Sequence, residues 1–215
     1  MIEPYIRPTY QKILGDHLAL MIGRVFSPNS VTLLSVLSGV CIIPALLSDQ
    51  LTLAILLLML SGLLDTLDGT VARLFHKESP YGTALDIIGD RIVEVSIVLG
   101  LFLVSPETRA MASFAMLGSI LICVTSFLVV GIFSKNESHK SFHYSPGLME
   151  RPEAFAFFGV MILFPEHFQV LAFLFSFLVF LTAALRMIEF KRAILHTISH
   201  SNNEQEDEAR GAERI

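Results

Sequence analysis

The stretch "DTLDGTVARLFHKESPYGTALDIIGD", residues 65–90, decides how this chain is read. Asp65 and Asp68 close one apolar run, and Asp86 and Asp90 open the next. Residues three, four, seven and eight apart share one face of a helix. Asp65, Asp68, Gly69, Ala72 and Arg73 fit such a face, and Gly82, Asp86 and Asp90 fit a second one on the following helix. The connection "FHKESPYG" holds Pro80 among polar residues, so the two helices are expected to pack antiparallel with their polar faces together.

The surrounding composition makes four carboxylates costly. The 215 residues are 53% hydrophobic and only 16% charged, with a mean hydropathy of +0.64, which indicates a helical protein that crosses a membrane several times. At about 20 apolar residues per crossing, six spans are expected, near 29–48, 51–75, 81–104, 108–133, 152–164 and 167–190. The expected fold class is all-α, a bundle of six transmembrane helices occupying residues 1–200. Residues 1–25 carry Ile2, Tyr5, Ile6, Tyr10, Ile13 and Leu14 at helical spacing, with Arg7 and Lys12 among them. They fit an amphipathic helix on the membrane surface or an ordinary packed helix. The start "MIEPYIRPTYQK" lacks the features of a signal peptide. The last fifteen residues, 201–215, hold five acids and two arginines and read as a disordered tail. Cys41 and Cys123 sit in apolar runs and read as small hydrophobes. Basic residues gather in the N-terminal segment, the 2–3 and 4–5 connections and the C-terminal end, while the opposite connections offer only Arg109. Both termini and the 65–90 stretch are therefore expected at the cytoplasmic face.

An aspartate at the centre of a bilayer costs about 2.5–3.5 kcal/mol, so four would cost about 10–14 kcal/mol. A position nearer the interface reduces that, but four like charges also repel. One arginine cannot neutralise them, whereas divalent cations can. All the ligands are hard oxygens, which favours Mg²⁺ or Mn²⁺ over Zn²⁺. Four carboxylates can hold two ions about 3.5–4 Å apart, the arrangement used for in-line displacement at phosphorus. Gly69 and Gly82 leave room for a phosphate to approach the backbone, and Arg73 can grip its oxygens. The residues thus point to metal-assisted phosphoryl chemistry at the membrane surface.

The spacing Asp65-x2-Asp68-Gly69-x2-Ala72-Arg73-x8-Gly82-x3-Asp86-x3-Asp90 resembles the signature of the CDP-alcohol phosphotransferase family at every fixed position. The resemblance implies an enzyme that uses two divalent ions, Mg²⁺ or Mn²⁺, to exchange the CMP of a CDP-linked lipid for an alcohol. It implies Asp65, Asp68, Asp86 and Asp90 as metal ligands and Asp90 also as the base. Gly69, Arg73 and Gly82 would surround the CDP group. "FSPNSVTLLS" resembles the family's first-helix pattern, which makes Asn29 and Thr32 candidates for nucleotide contact. CDP-diacylglycerol, a polar alcohol and membrane lipids are the implied partners, with a homodimer in the inner membrane and no nucleic acid.

"SPGLMERPEAFAFFG" resembles a stretch of the phosphatidylinositol-phosphate synthase branch through Gly147, Glu150 and Arg151. Arg151 is thereby a candidate for facing the acceptor, or else a positive-inside anchor. The pattern's second arginine falls on Ala154, which argues against a doubly anionic acceptor. His139, His143, His196 and His200 read as loop or solvated-face histidines, and Arg91 as a neutralising or interfacial residue. Three other readings stand beside the main one. They are transfer from a soluble CDP-alcohol to a lipid, a divalent-cation pathway, and a non-catalytic membrane partner.

Overall fold

The computed structural model describes the backbone of residues 16–134 and 149–212 and the side chains of residues 18–133 and 149–195. Most of the expected N-terminal surface helix, His139, His143, Gly147 and the side chains of His196 and His200 lie outside the described residues. Among the described residues the chain is helical, without strand. The helices are α1 Asp16–Gly23, α2 Pro28–Val40, α3 Ile42–Leu47, α4 Leu51–Leu74, α5 Pro80–Val104, α6 Pro106–Ser134, α7 Arg151–Leu163 and α8 Phe168–Ala212, with a 3-10 turn at Pro165–His167 before α8. The helical backbone of α8 continues beyond the expected end near 200. The stretch 201–210 contains neither Pro nor Gly, so nothing in it breaks a helix already under way.

Local chemistry sets the boundaries. Ser27 caps α2 by accepting the Ser30 N–H at 3.2 Å, and Ser79 caps α5 by accepting the Gly82 N–H at 3.0 Å. Each cap is followed by a proline at the first helical position, where the missing N–H costs nothing. A break at Cys41 separates α2 from α3. Pro44 has no N–H to offer the Val40 carbonyl, which explains the break. α4 ends with His76 at φ 51° and the Lys77 N–H donating to the Ala72 carbonyl at 2.9 Å, the wrap that closes many helices.

Among the described residues, four segments are long and apolar enough to cross a membrane: Pro28–Leu47, Leu51–Leu74, Pro106–Phe133 and Pro165–Leu195. The other two expected crossings differ for separate reasons. α5 has 25 residues, but Asp86, Asp90, Arg91 and Glu94 interrupt its apolar run. α7 has 13 residues, about 20 Å of helix against a core of about 30 Å.

α2 packs against both α4 and α5, α6 lies along α8, and α7 contacts α4 and α8. The main core joins Leu58, Val93, Ile97, Met116, Phe158 and Phe175, and a smaller cluster gathers Ala19, Val31, Leu67 and Val71 beside the aspartates. Glycine sets the α2–α5 approach. A Cβ on Gly39 would lie 2.7 Å from Val93, and one on Gly89 would lie 2.9 Å from Val36. Small residues serve this purpose in membranes, where apolar area alone drives no association. Cys41 and Cys123 are free thiols, both half-buried.

Candidate active site

α4 and α5 bring the predicted aspartates together. One carboxylate oxygen each from Asp65, Asp68 and Asp86 lies within 4.8 Å of the others. Asp90, one turn beyond Asp86 on α5, is linked to this group through Arg151 of α7. Arg151 pairs with Asp65 Oδ1 at 2.8 Å through Nη1, and the same nitrogen donates to Asp90 Oδ1. Arg151 is therefore a member of the aspartate cluster. Its guanidinium also lies over the Phe155 ring, 5.3 Å from the centroid.

Thr32 of α2 donates through Oγ1 to Asp68 Oδ2 at 2.6 Å. Thr32 and Asp68 are both buried, so the bond fixes one carboxylate rotamer from a second helix. The Thr32 hydroxyl also reaches back to the Pro28 carbonyl at 3.2 Å. Gly82 has little space: a Cβ there would lie 3.1 Å from Ser79 Oγ and 3.3 Å from Asn29 Oδ1. Gly69 is roomier, since a Cβ there would meet the Arg73 guanidinium at 3.4 Å, an ordinary contact. Arg73 donates to Thr70 Oγ1 at 3.3 Å.

Two cavities reach the cluster. The first, about 200 Å³, is lined by residues that include Asn29, Thr32, Asp68, Gly69, Arg73, Lys77, Ser79, Gly82 and Asp86. The second, about 290 Å³, meets the cluster at Asp90 and Arg151 and extends to Arg186 of α8. The lining residues of the two cavities do not overlap. Every predicted site residue touches one cavity or belongs to the carboxylate cluster.

Three charged residues enter the structure with partners or positions the sequence left unread. Glu94 is 8% exposed and pairs with Arg91 at 2.6 Å, and Arg91 also lies 3.7 Å from Asp90. Arg186 follows the apolar run of α8, three residues before Glu189, and an arginine within a membrane span is the signal that singles it out. Arg109, 7% exposed, donates to the Leu101 carbonyl at 2.8 Å and the Pro165 carbonyl at 3.2 Å.

Hard carboxylate oxygens, an excess of negative charge over the one arginine among them, and a neighbouring cavity with an arginine suit divalent cations and a phosphate-bearing ligand. The CDP-alcohol phosphatidyltransferase family matches residues 25–190. The inner membrane protein YnjF of Escherichia coli is 28% identical over 87% of this chain and 94% of its own length. A phosphatidylinositol phosphate synthase of Corynebacterium glutamicum is 30% identical over 71% of this chain and 70% of its own. The fold is like that of the Mycobacterium tuberculosis phosphatidylinositol phosphate synthase crystallised with manganese and citrate. The TM-score is 0.68 at 20% identity, over 82% of this chain and 88% of that one. The same enzyme with CDP-DAG bound gives a TM-score of 0.61 at 22% identity, over 82% and 93% of the two chains. With its paired carboxylates at the junction of α4 and α5, this chain belongs to the CDP-alcohol phosphatidyltransferase family and is a membrane-embedded enzyme of phospholipid biosynthesis.

Proposed function

We propose that the protein transfers the phosphatidyl group of CDP-diacylglycerol to the hydroxyl of an alcohol and releases CMP. The convergence of the Asp65, Asp68 and Asp86 carboxylates beside a cavity containing Gly69 and Arg73 carries this reading. Asp65, Asp68, Asp86 and Asp90 hold two divalent ions, Mg²⁺ or Mn²⁺. When bound, such ions supply positive charge that offsets the pyrophosphate and the departing CMP. The nucleotide and pyrophosphate occupy the first cavity, where Gly69 lets phosphate approach the helix, Gly82 forms part of the wall beside Asn29, and Arg73 donates to the phosphate oxygens. Asn29 borders the nucleotide, and Thr32 holds Asp68 in its rotamer.

The second cavity receives the acceptor. Displacement at phosphorus needs the entering and leaving oxygens in line, and two cavities that reach the carboxylates through different residues meet that need. Asp90 borders the second cavity and accepts the acceptor's proton. The hydroxyl oxygen bonds to the phosphorus that carries diacylglycerol. The bond from that phosphorus to the bridging oxygen breaks, and CMP leaves with that oxygen and the electron pair.

The same reading treats α2–α3, α4, α5, α6, α7 and α8 as six crossings in an inner membrane, with residues 1–200 as the enzyme and 201–215 as a polar tail. The charges of α5 are paired, Arg91 with Glu94 on α5 itself and Asp90 with Arg151 of α7, so they do not bar it from crossing. Both termini and the carboxylates then face the cytoplasm, and a homodimer is the working assembly. Asp86→Asn and Asp90→Asn test the reaction. Each is expected to reduce metal-dependent CMP release from CDP-diacylglycerol by about 10³-fold or more while size-exclusion behaviour stays unchanged. Undiminished release from both variants overturns the assignment.

A further inference from the structure

We infer that Glu94 is a positioning residue: it holds the Arg91 guanidinium off Asp90 and so keeps one oxygen of the base open to the acceptor. The inference rests on the transfer reading, in which Asp90 takes the acceptor's proton. It assigns that task to a single oxygen and names the residue that guards it.

The two oxygens of Asp90 have different neighbours. Oδ1 accepts from Arg151 Nη1, which also pairs with Asp65 Oδ1 at 2.8 Å. That oxygen is therefore committed to the carboxylate cluster. Oδ2 has Arg91 Nη2 at 3.7 Å, beyond hydrogen-bond distance. Asp90, Arg91 and Glu94 all line the second cavity. Oδ2 is thus the oxygen of Asp90 with room to accept the proton of a hydroxyl placed in that cavity.

Glu94 accounts for the gap between Arg91 and Oδ2. It stands three positions after Arg91 and four after Asp90 on α5, so the guanidinium lies within reach of both carboxylates on one helix face. Glu94 takes the short contact, at 2.6 Å from Arg91 Nη1. Without the Glu94 charge, the nearest carboxylate oxygen to Arg91 is Asp90 Oδ2. An arginine in a span seeks an anionic partner, and its forked donors suit a carboxylate. A direct pair would occupy the oxygen that the acceptor needs.

A role in stability alone explains the pair less well. Glu94 is 8% exposed, and taking a carboxylate out of water costs more than one ion pair usually returns. Apolar residues of similar volume serve packing at least as well. As a positioning device the pair has a use: Arg91 offsets the negative charge crowded around Asp90, and Glu94 lets it do so from a distance.

The test uses the full-length protein in detergent micelles with CDP-diacylglycerol and Mg²⁺ or Mn²⁺, and reads CMP release per folded molecule, with folding judged by size exclusion. The acceptor probe is whichever of glycerol 3-phosphate, inositol, inositol 1-phosphate and serine gives the parent its fastest release, or water where none raises the rate. Glu94→Gln keeps the size and loses the charge that holds Arg91. It is expected to lower kcat about tenfold, with the KM for CDP-diacylglycerol within about twofold of the parent. Arg91→Gln added to Glu94→Gln removes the group that collapses onto Asp90, and is expected to return kcat to within about threefold of the parent. A pair needed only for stability predicts no such rescue, because the double variant lacks it too. Should Glu94→Gln fail to fold, Glu94→Asp, which falls short of Arg91, supports the same comparison with and without Arg91→Gln. An unchanged kcat in the folded Glu94 variant overturns the inference and leaves the transfer reading standing. So does a double variant no faster than the single one. No CMP release by the parent to any of these probes, water included, overturns the transfer reading itself.

Discussion

At the scale of single residues, Thr32 controls the site without carrying charge. Its hydroxyl is the donor that fixes Asp68 across the α2–α4 contact. A hydrogen bond to a charged group contributes about 1.5–3 kcal/mol, and removal of the donor leaves the carboxylate both free to rotate and poorly solvated. Thr32→Val keeps the shape and deletes that donor. It is expected to lower the CMP release rate about tenfold and to weaken the metal requirement's saturation, measured as a higher Mg²⁺ concentration at half-maximal rate. Gly69 offers a complementary case. Because a Cβ at that position meets only the Arg73 guanidinium at 3.4 Å, Gly69→Ala is expected to fold normally and to raise the KM for CDP-diacylglycerol a few-fold. Gly69→Leu projects further into a cavity of about 200 Å³. It is expected to abolish stabilisation by CDP in a thermal melt while leaving the melting point of the free protein within about 2 °C. The aspartates were legible in the sequence because a helix maps spacing onto one face, and Asp65, Asp68 and Asp86 needed only that rule plus an antiparallel turn. The Thr32 bond was not legible, because its partner lies 36 residues away and depends on how α2 leans on α4.

At the scale of elements, Arg109 acts at the end of the bundle away from the carboxylates. Leu101, whose carbonyl it caps, lies about 16 Å along α5 from Asp90 at 1.5 Å per residue. One guanidinium there satisfies a carbonyl in the last turn of α5 and the Pro165 carbonyl before α8, and stacks on Phe168 with 4.6 Å to the ring centroid. Arg109→Met keeps most of the side-chain volume and leaves both carbonyls without a donor. It is expected to cost about 2–4 kcal/mol, read as a lower melting point in detergent, with CMP release per folded molecule unchanged. Sequence placed Arg109 on a connection as an isolated positive charge, and a charge count cannot reveal that carbonyls from two other segments surround it. The element boundaries were more accessible, since "SPN" and "SPYG" each pair a capping serine with a proline suited to the first turn. The break at Cys41 was missed although Pro44 was in view, because hydropathy runs unbroken through both helices.

At the scale of the whole molecule, the open question is how the bundle stands in the membrane. Among the described residues, length and hydropathy mark four candidate crossings and leave out α5 and α7. Asp86, Asp90, Arg91 and Glu94 interrupt the apolar run of α5, and α7 has only 13 residues. Counting only four crossings leaves α5 and α7 outside the bilayer. Yet Val93, Ile97 and Phe158 from these two helices are buried in the main core alongside Met116 and Phe175 from helices that do cross. Such a shared core supports the proposed six crossings over two helices lying on the surface. The proposed six crossings would put the Lys77–Glu78 turn on the opposite side from the Ser48–Gln50 and Glu166–His167 turns, and the excess of basic residues supports a cytoplasmic place for the former. Single cysteines at Ser48, Glu78 and Glu166, all exposed, can be introduced into a protein whose Cys41 and Cys123 are replaced by alanine. In intact cells an impermeant maleimide is expected to label Ser48→Cys and Glu166→Cys and to leave Glu78→Cys unlabelled until the membrane is opened. Labelling of Glu78→Cys in intact cells would place the carboxylates at the outer face and remove them from a cytoplasmic CDP-lipid supply. Labelling of Ser48→Cys with protection of both Glu78→Cys and Glu166→Cys would instead mean that one of α5, α6 or α7 fails to cross.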